Sequence, residues 1–206
     1  MKQTRKRLFI DAKTGPRERE KMIYLALENG CNTLVFSLDD IYFKSKFKNK
    51  KYIKLITNYN INIEAGGRDL SLLLPKSMFV ADREMFRMDQ GIRKADHHFC
   101  PTNPKTISVI TERANNFFSA VLQKVTPPRF FHILPDEGCE NTWCACPPCR
   151  AFSPAEQYLI AVNTAADVLA KIDHEAKIIY IDYDTEPDAE GISPKANVVV
   201  SESEKE

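Results

Sequence analysis

Arg129-Phe-Phe-His-Ile-Leu-Pro-Asp-Glu-Gly138 is the stretch on which the fold turns. An apolar strand runs to Leu134, Pro135 follows it, and two carboxylates, Asp136 and Glu137, stand before a glycine. Short β-rich runs that close on acid recur along the chain. Thr33-Leu-Val-Phe-Ser-Leu38 ends at Asp39-Asp40, and Ile61-Asn-Ile-Glu64 carries a carboxylate ahead of Gly66-Gly67. Lys177-Ile-Ile-Tyr-Ile-Asp182 is followed by Asp184. Leu8-Phe-Ile10 and Asn197-Val-Val-Val200 read as further strands.

Helical patterns separate these runs. Residues 16 to 29 form one, with Pro16 suited to a first turn and Gly30 to a C-terminal stop. Residues 48 to 58 suit a short helix. The best-defined helix opens at Asn103-Pro104, a cap followed by a proline that fits the first position. Behind it Ile107, Ile110, Ala114, Phe117, Phe118, Val121 and Val125 recur on one face. Ser153-Pro-Ala-Glu156 has the capping-box pattern, and Tyr158, Val162, Ala165, Leu169 and Ile172 form the stripe of the helix it starts. Residues 68 to 101 lack periodicity, which a compact domain accommodates when the segment builds a site or conceals short elements. His98-Phe-Cys100 is expected to be a hidden strand.

Strand, helix, strand, helix at this spacing implies parallel strands with helical crossovers. A closed barrel and an open doubly wound sheet both fit. The acidic strand ends favour the barrel, because there they converge on one rim. A full barrel takes about 250 residues; this chain has 206 and supplies six strands. The expectation is an α/β fold, an incomplete (β/α) TIM-type barrel with a Cys-rich loop after a central strand. It forms one domain over residues 1–200, with a flexible tail at 201–206.

The chain is 43% hydrophobic and 28% charged, enough to bury a core, and its net charge of +1 gives no sign of a polyanionic partner. Met1-Lys-Gln-Thr-Arg-Lys-Arg7 is basic but precedes only Leu8-Phe-Ile10, too short for a signal-peptide core, and no run approaches a membrane span. A cytoplasmic location is expected, with the six cysteines as thiols or metal ligands.

On such a rim Glu137, its pKa raised by partial burial and by the neighbouring Asp, can act as general acid toward a glycosidic oxygen, and Asp136 can orient a substrate group. Asp184, Asp40 and Glu64 offer further carboxylates. Asp-Glu-Gly is also an ordinary polar turn. Arg68 can hold an anionic group, and His97 and His98 can face substrate or a metal, or divide between core and rim. Trp143 is either a platform for a sugar ring or a cap on the core. His132, inside an apolar strand, reads as a satisfied interior histidine.

Cys139, Cys144, Cys146 and Cys149 place four thiols in one loop, suited to a structural zinc. Cys144 and Cys146, one residue apart, are awkward to bring into one tetrahedron, so three cysteines with a His or water is an alternative. Packed free thiols and a redox Cys146-Pro-Pro-Cys149 remain open as well. Cys31 and Cys100 read as core. No organic cofactor is expected.

Gly66-Gly-Arg-Asp-Leu-Ser71, Leu74-Pro75, Met85-Phe-Arg-Met-Asp-Gln-Gly91, Phe99-Cys-Pro-Thr-Asn-Pro104, Pro135-Asp-Glu-Gly138 and Trp143-Cys-Ala-Cys-Pro-Pro-Cys149 stand in a fixed order. Together they resemble a bacterial domain-of-unknown-function family of TIM barrels found in larger proteins related to α-glucuronidases, from about Leu8 to Val200. Asp39-Asp40 and His132-Ile-Leu-Pro-Asp-Glu137 are also similar, more faintly, to hexosaminidase barrels, whose fourth strand carries His-x-Gly-Gly-Asp-Glu. That resemblance implies substrate-assisted cleavage, with Glu137 as acid and Asp136 steering an acetamido group. Leu134-Pro135 departs from the Gly-Gly, and Arg68 stands where a His is expected after Gly66-Gly67.

The functional expectation is a glycoside-hydrolase-like protein for an acidic or N-acetylated sugar. The alternatives are a non-catalytic carbohydrate-binding remnant of the barrel and a zinc-stabilised interaction module using the basic run from Lys44 to Lys54. Open sheet edges would invite a homo-oligomer or a partner that completes the barrel. Neither nucleic acid nor a membrane is expected as partner.

Overall fold

The computed structural model describes residues 6–11, 13–37, 54, 57–67, 70–96, 98–122, 128–135, 142–182 and 191–202. Six parallel strands make the main sheet: β1 (Arg7–Ile10), β2 (Thr33–Phe36), β3 (Asn62–Gly67), β6 (Phe130–Ile133), β7 (Lys177–Asp182) and β8 (Val198–Glu202). Their spatial order is β1-β2-β3-β6-β7-β8, so each main-sheet strand lies beside its predecessor. A doubly wound sheet reverses direction at a switch point. No reversal occurs among the described strands, so the sheet is that of an incomplete TIM-type barrel, with β1 and β8 as its described edges.

Three long helices cover the outer face: α1 (Pro16–Glu28), α3 (Pro104–Leu122) and α4 (Pro154–Ile172). Each starts as its local chemistry requires. Pro16 opens α1, and Gly30, at φ +79°, follows its end in a conformation that costs other residues strain. Asn103 Oδ1 accepts the backbone N–H of Lys105 at the start of α3. Ser153 and Glu156 close a reciprocal capping box on α4. The predicted stripes bury Ile110, Ala114, Phe118 and Val121 on α3, and Tyr158, Val162, Ala165 and Leu169 on α4. Ile172 is 36% exposed and ends the second stripe in solvent. Val125 and most of the helix expected over 48–58 lie outside the described residues.

These faces meet the outward side chains of the sheet. Phe118 packs edge-to-face on Phe131 at 4.9 Å, and Tyr158 stacks on Tyr180 at 4.9 Å. Alternation along the strands sends the other set inward: Phe9 and Arg7 on β1, Glu64 and Gly66 on β3, His132 on β6. Glu64 was expected near a strand end, but β3 runs on to Gly67, which puts the carboxylate inside the strand.

The aperiodic segment does conceal short elements. They are α2 (Leu70–Leu73), two 3-10 turns (Lys76–Val80 and Arg83–Met85), and a hairpin of β4 (Met88–Asp89) and β5 (Ile92–Arg93). Gln90 and Gly91, both at positive φ, make the two-residue hairpin turn. The strand expected at His98-Phe-Cys100 amounts to one antiparallel bridge, Phe86 to Phe99.

β3 and β6 approach closely where Gly66 pairs with His132. A Cβ on Gly66, at φ +108°, would fall 1.8 Å from the His132 carbonyl oxygen. Backbone cannot rotate away as a side chain can. Gly66→Ala is therefore expected to cost at least about 3 kcal/mol or to prevent folding, read as the midpoint of thermal or urea unfolding. Gly15→Ala, where a Cβ meets nothing within 4 Å, is the control that should stay near wild type.

Candidate functional site

All six strands of the main sheet are parallel, so their carboxyl ends share one edge, the edge that carries chemistry in barrels of this type. Of the residues expected there, Asp40, Arg68, His97, Asp136, Glu137, Cys139 and Asp184 lie outside the described residues. Described are Glu64, His98, Trp143, Cys144, Cys146 and Cys149. They fall into three groups.

The first group is ionic. Glu64 is fully buried, and its Oε2 accepts from Arg7 Nε at 2.7 Å and lies 2.7 Å from His132 Nε2. Burial alone would push this carboxyl up, but the hydrogen bonds from His132 and Arg7 outweigh it and hold Glu64 down at about 2. An ionised Oε2 only accepts, so His132 carries its proton on Nε2. Phe9 packs edge-on against the imidazole at 5.3 Å. His132 lies in the interior as expected and is hydrogen-bonded through Nε2, while its buried Nδ1 meets no partner among the described residues; Glu64 is an internal anchor joining β1, β3 and β6.

The second group is aromatic. His98 and Trp143 stack at 4.3 Å with rings 14° from parallel, and Trp143 meets Phe99 edge-on at 6.3 Å. Trp143 is 7% exposed and His98 1%. Trp143 packs within the main hydrophobic core cluster.

The third group is the thiols. Cys144, Cys146 and Cys149 are buried, and the fourth sulfur beside them is Cys100, read from sequence as core. All four Sγ atoms lie within 4.8 Å of one another, so the cluster can bind a metal ion. Cys144 and Cys146 converge despite their spacing because residues i and i+2 of an extended chain face the same way. Ala145 N–H donates to Met88 O at 2.7 Å and ties that stretch to the hairpin. Cys146-Pro-Pro-Cys149 curls into a 3-10 turn, with Cys149 N–H donating to Cys146 O. Hydrogen bonds with Cys144 and Cys149 hold Cys100 low, and those with Cys100 push Cys144 up to about 11 and Cys149 up as well.

Gln157, on the buried face of α4, organises this loop and had no signal in the sequence. Its Oε1 accepts from Cys144 N–H at 3.0 Å, and its Nε2 donates to the carbonyls of Cys144, Cys149 and Phe152.

With this geometry in hand, solved structures of similar fold can be placed. The GH20 catalytic modules of the pneumococcal exo-β-D-N-acetylglucosaminidase align over 96% of this chain and 59% of theirs, with TM-score 0.58 and 11% identity. A second structure of that pneumococcal virulence factor, concerned with N-glycan recognition and hydrolysis, gives 0.59 at 10% identity over 96% and 58%. A β-N-acetylhexosaminidase from Bacteroides fragilis gives 0.51 at 15% identity over 95% and 45%. The chain thus spans about half the length of these proteins, and what it shares with them is the fold. No family model and no curated protein matches the sequence. Among the described residues, no helix is long and apolar enough to cross a membrane.

The Glu64 anchor has a pH signature. Its folded pKa lies below the ordinary value of 4.5, so the stability it contributes is complete above that value and is lost as pH falls from about 4.5 towards about 2. In wild-type protein, urea unfolding at a series of pH values is expected to show that loss, amounting to roughly a few kcal/mol. Glu64→Gln should be less stable at neutral pH and markedly flatter through the same window. Parallel curves for the two proteins would contradict the assignment.

Proposed function

We propose that the chain is a glycoside-hydrolase-like barrel that takes an acidic or N-acetylated sugar at the carboxyl edge of its sheet, with Glu137 as general acid/base and Asp136 assisting. The observation that carries this reading is the unbroken order of six parallel strands, the architecture shared with the GH20 catalytic modules. Asp136 and Glu137 follow β6 in sequence, directly after the buried Leu134 and Pro135. Leu134 is pinned on both sides, its N–H donating to Gly67 O at 2.8 Å and its carbonyl accepting from Leu70 N–H. An acidic pair leaving so fixed a strand end suits a group that must meet a substrate in one orientation.

In this reading Glu137 gives its proton to the glycosidic oxygen as the bond to the anomeric carbon breaks. Asp136 steers the substrate's acetamido group, as the hexosaminidase resemblance implies. Asp40 and Asp184 supply further acceptors for sugar hydroxyls, Arg68 a charge for a carboxylate, and His97 a further substrate contact. Glu64, His98 and Trp143 act from behind, as supports of the edge. The resemblance to barrels of larger proteins related to α-glucuronidases keeps uronic acids among the substrates. Among the described residues β1 and β8 end the sheet, and such edges would accept a second copy or a partner that closes the barrel.

A sugar-binding barrel without hydrolysis is the second reading, favoured by Leu134-Pro135 in the place of a Gly-Gly. Thermal melts with N-acetylglucosamine, N-acetylgalactosamine, glucuronic acid and glucose separate a ligand site from none, because a ligand raises the Tm of the state it binds. Fluorogenic aryl glycosides of the sugars that bind then report turnover. Glu137→Gln is expected to lower kcat at least about 100-fold with an unchanged Tm. Binding without turnover in wild-type protein selects the second reading, and full activity in Glu137→Gln removes the first.

A further inference from the structure

We infer that Cys100, Cys144, Cys146 and Cys149 form a tetrahedral zinc site, and that its ion clamps the loop after β3 to the loop after β6. The distances are those such an ion requires. Four thiolates at about 2.3 Å from one zinc stand about 3.8 Å apart. Cys100 Sγ lies 3.6 Å from both Cys146 Sγ and Cys149 Sγ, and no pair in the cluster exceeds 4.8 Å. A disulfide would need sulfurs at about 2.05 Å, and all four cysteines are free. A polynuclear iron–sulfur cluster divides its thiolates between two or more metals and so spreads the sulfurs further. The spread observed fits a single ion, and an all-thiolate tetrahedral set is the ligand set of structural zinc.

The surroundings are built for charge on sulfur. Met88 N–H donates to Cys144 Sγ at 3.2 Å, and Arg93 Nη1 approaches the same sulfur at 3.7 Å. Thr102 Oγ1 lies 3.1 Å from Cys149 Sγ and 3.5 Å from Cys100 Sγ. Four thiolates around a divalent ion leave a net negative charge, which the Arg93 guanidinium offsets while it is itself fixed by Glu84 and the Phe86 carbonyl. Gln157 holds the loop backbone from beneath. Such a site has no open position, so its ion is a structural element and not a catalyst.

The clamp joins segments that the chain keeps apart. Cys100 is 46 residues from Cys146 and 49 from Cys149. It leaves the short paired stretch around Phe86 and Phe99, with its own N–H donating to Met85 O at 2.8 Å. The other three ligands precede α4. One ion therefore fixes two of the loops that follow neighbouring strands β3 and β6, whether or not that edge binds sugar.

Elemental analysis of the full chain, purified from zinc-supplemented medium, tests this without an activity assay. Zinc is expected at about one equivalent per chain. Cobalt(II) exchanged into the wild-type protein should show the intense charge-transfer and d–d bands of a tetrahedral thiolate site. Ser substitution at Cys100, Cys144, Cys146 or Cys149 should each reduce bound zinc to below about a tenth of the wild-type level, while Cys31→Ser and Cys139→Ser keep it. A strong chelator should lower the Tm by roughly 10 °C or more, and added zinc should restore it. Wild-type protein without stoichiometric metal overturns the site even if every variant misfolds. Stoichiometric iron overturns the choice of zinc, and loss of zinc in Cys139→Ser with retention in Cys100→Ser overturns the ligand set.

Discussion

A carboxylate with no exposure to water must be paired, and the pairing of Glu64 constrains much of this structure. Its partners come from different strands, Arg7 on β1 and His132 on β6, so the ion pair is satisfied only when β1, β2, β3 and β6 lie side by side in the observed register. Slipping β3 by one residue would turn Glu64 outward into the helices and bring an apolar side chain inward. Removing one partner of such a group leaves an uncompensated charge, which costs far more than the pair contributes when complete. Gly66 completes the constraint two positions further on, where β3 and β6 come too close for any side chain.

Around that centre the structure divides its work. The outer face of the sheet is an apolar contact with α1, α3 and α4, which non-directional burial can hold together. The segments beyond the strand ends add Leu70, Leu73, Met85, Phe86, Phe99 and Trp143 to that core, and directional contacts fix the rest of them. Gln157 satisfies four backbone groups of the cysteine loop, Arg93 and Glu84 brace the hairpin, and an Arg87–Asp96 ion pair fixes the turn behind it. Buried backbone polar groups must find partners somewhere, and here side chains provide them. The thiol cluster then sits where two such segments meet.

Some of this was legible from residue order. Pro16, Gly30, Asn103 and the Ser153–Glu156 box mark helix ends by chemistry contained within a few residues, and those ends stand where they were expected. The strand at 177–182 likewise needs only its own β-branched run. In sequence Glu64 reads as a strand-end carboxylate, whereas pairing of Ala65, Gly66 and Gly67 with β6 carries the strand past it. Cys100 is buried as expected, but its place beside the other three thiols is not legible in sequence, for a related reason. A lone cysteine after an aromatic residue has the appearance of a core side chain until the segment carrying it is folded back.

The sequence by itself determined the kinds of elements, their order and their parallel arrangement, because caps, stripes and strand runs act over a turn or a few residues. Tertiary structure alone decided that the strands follow one another without reversal, that Arg7, Glu64 and His132 share one buried site, and that Cys100 joins Cys144, Cys146 and Cys149. Each of those depends on groups far apart along the chain. Their distance is set by sheet register and loop closure, which local propensity does not encode.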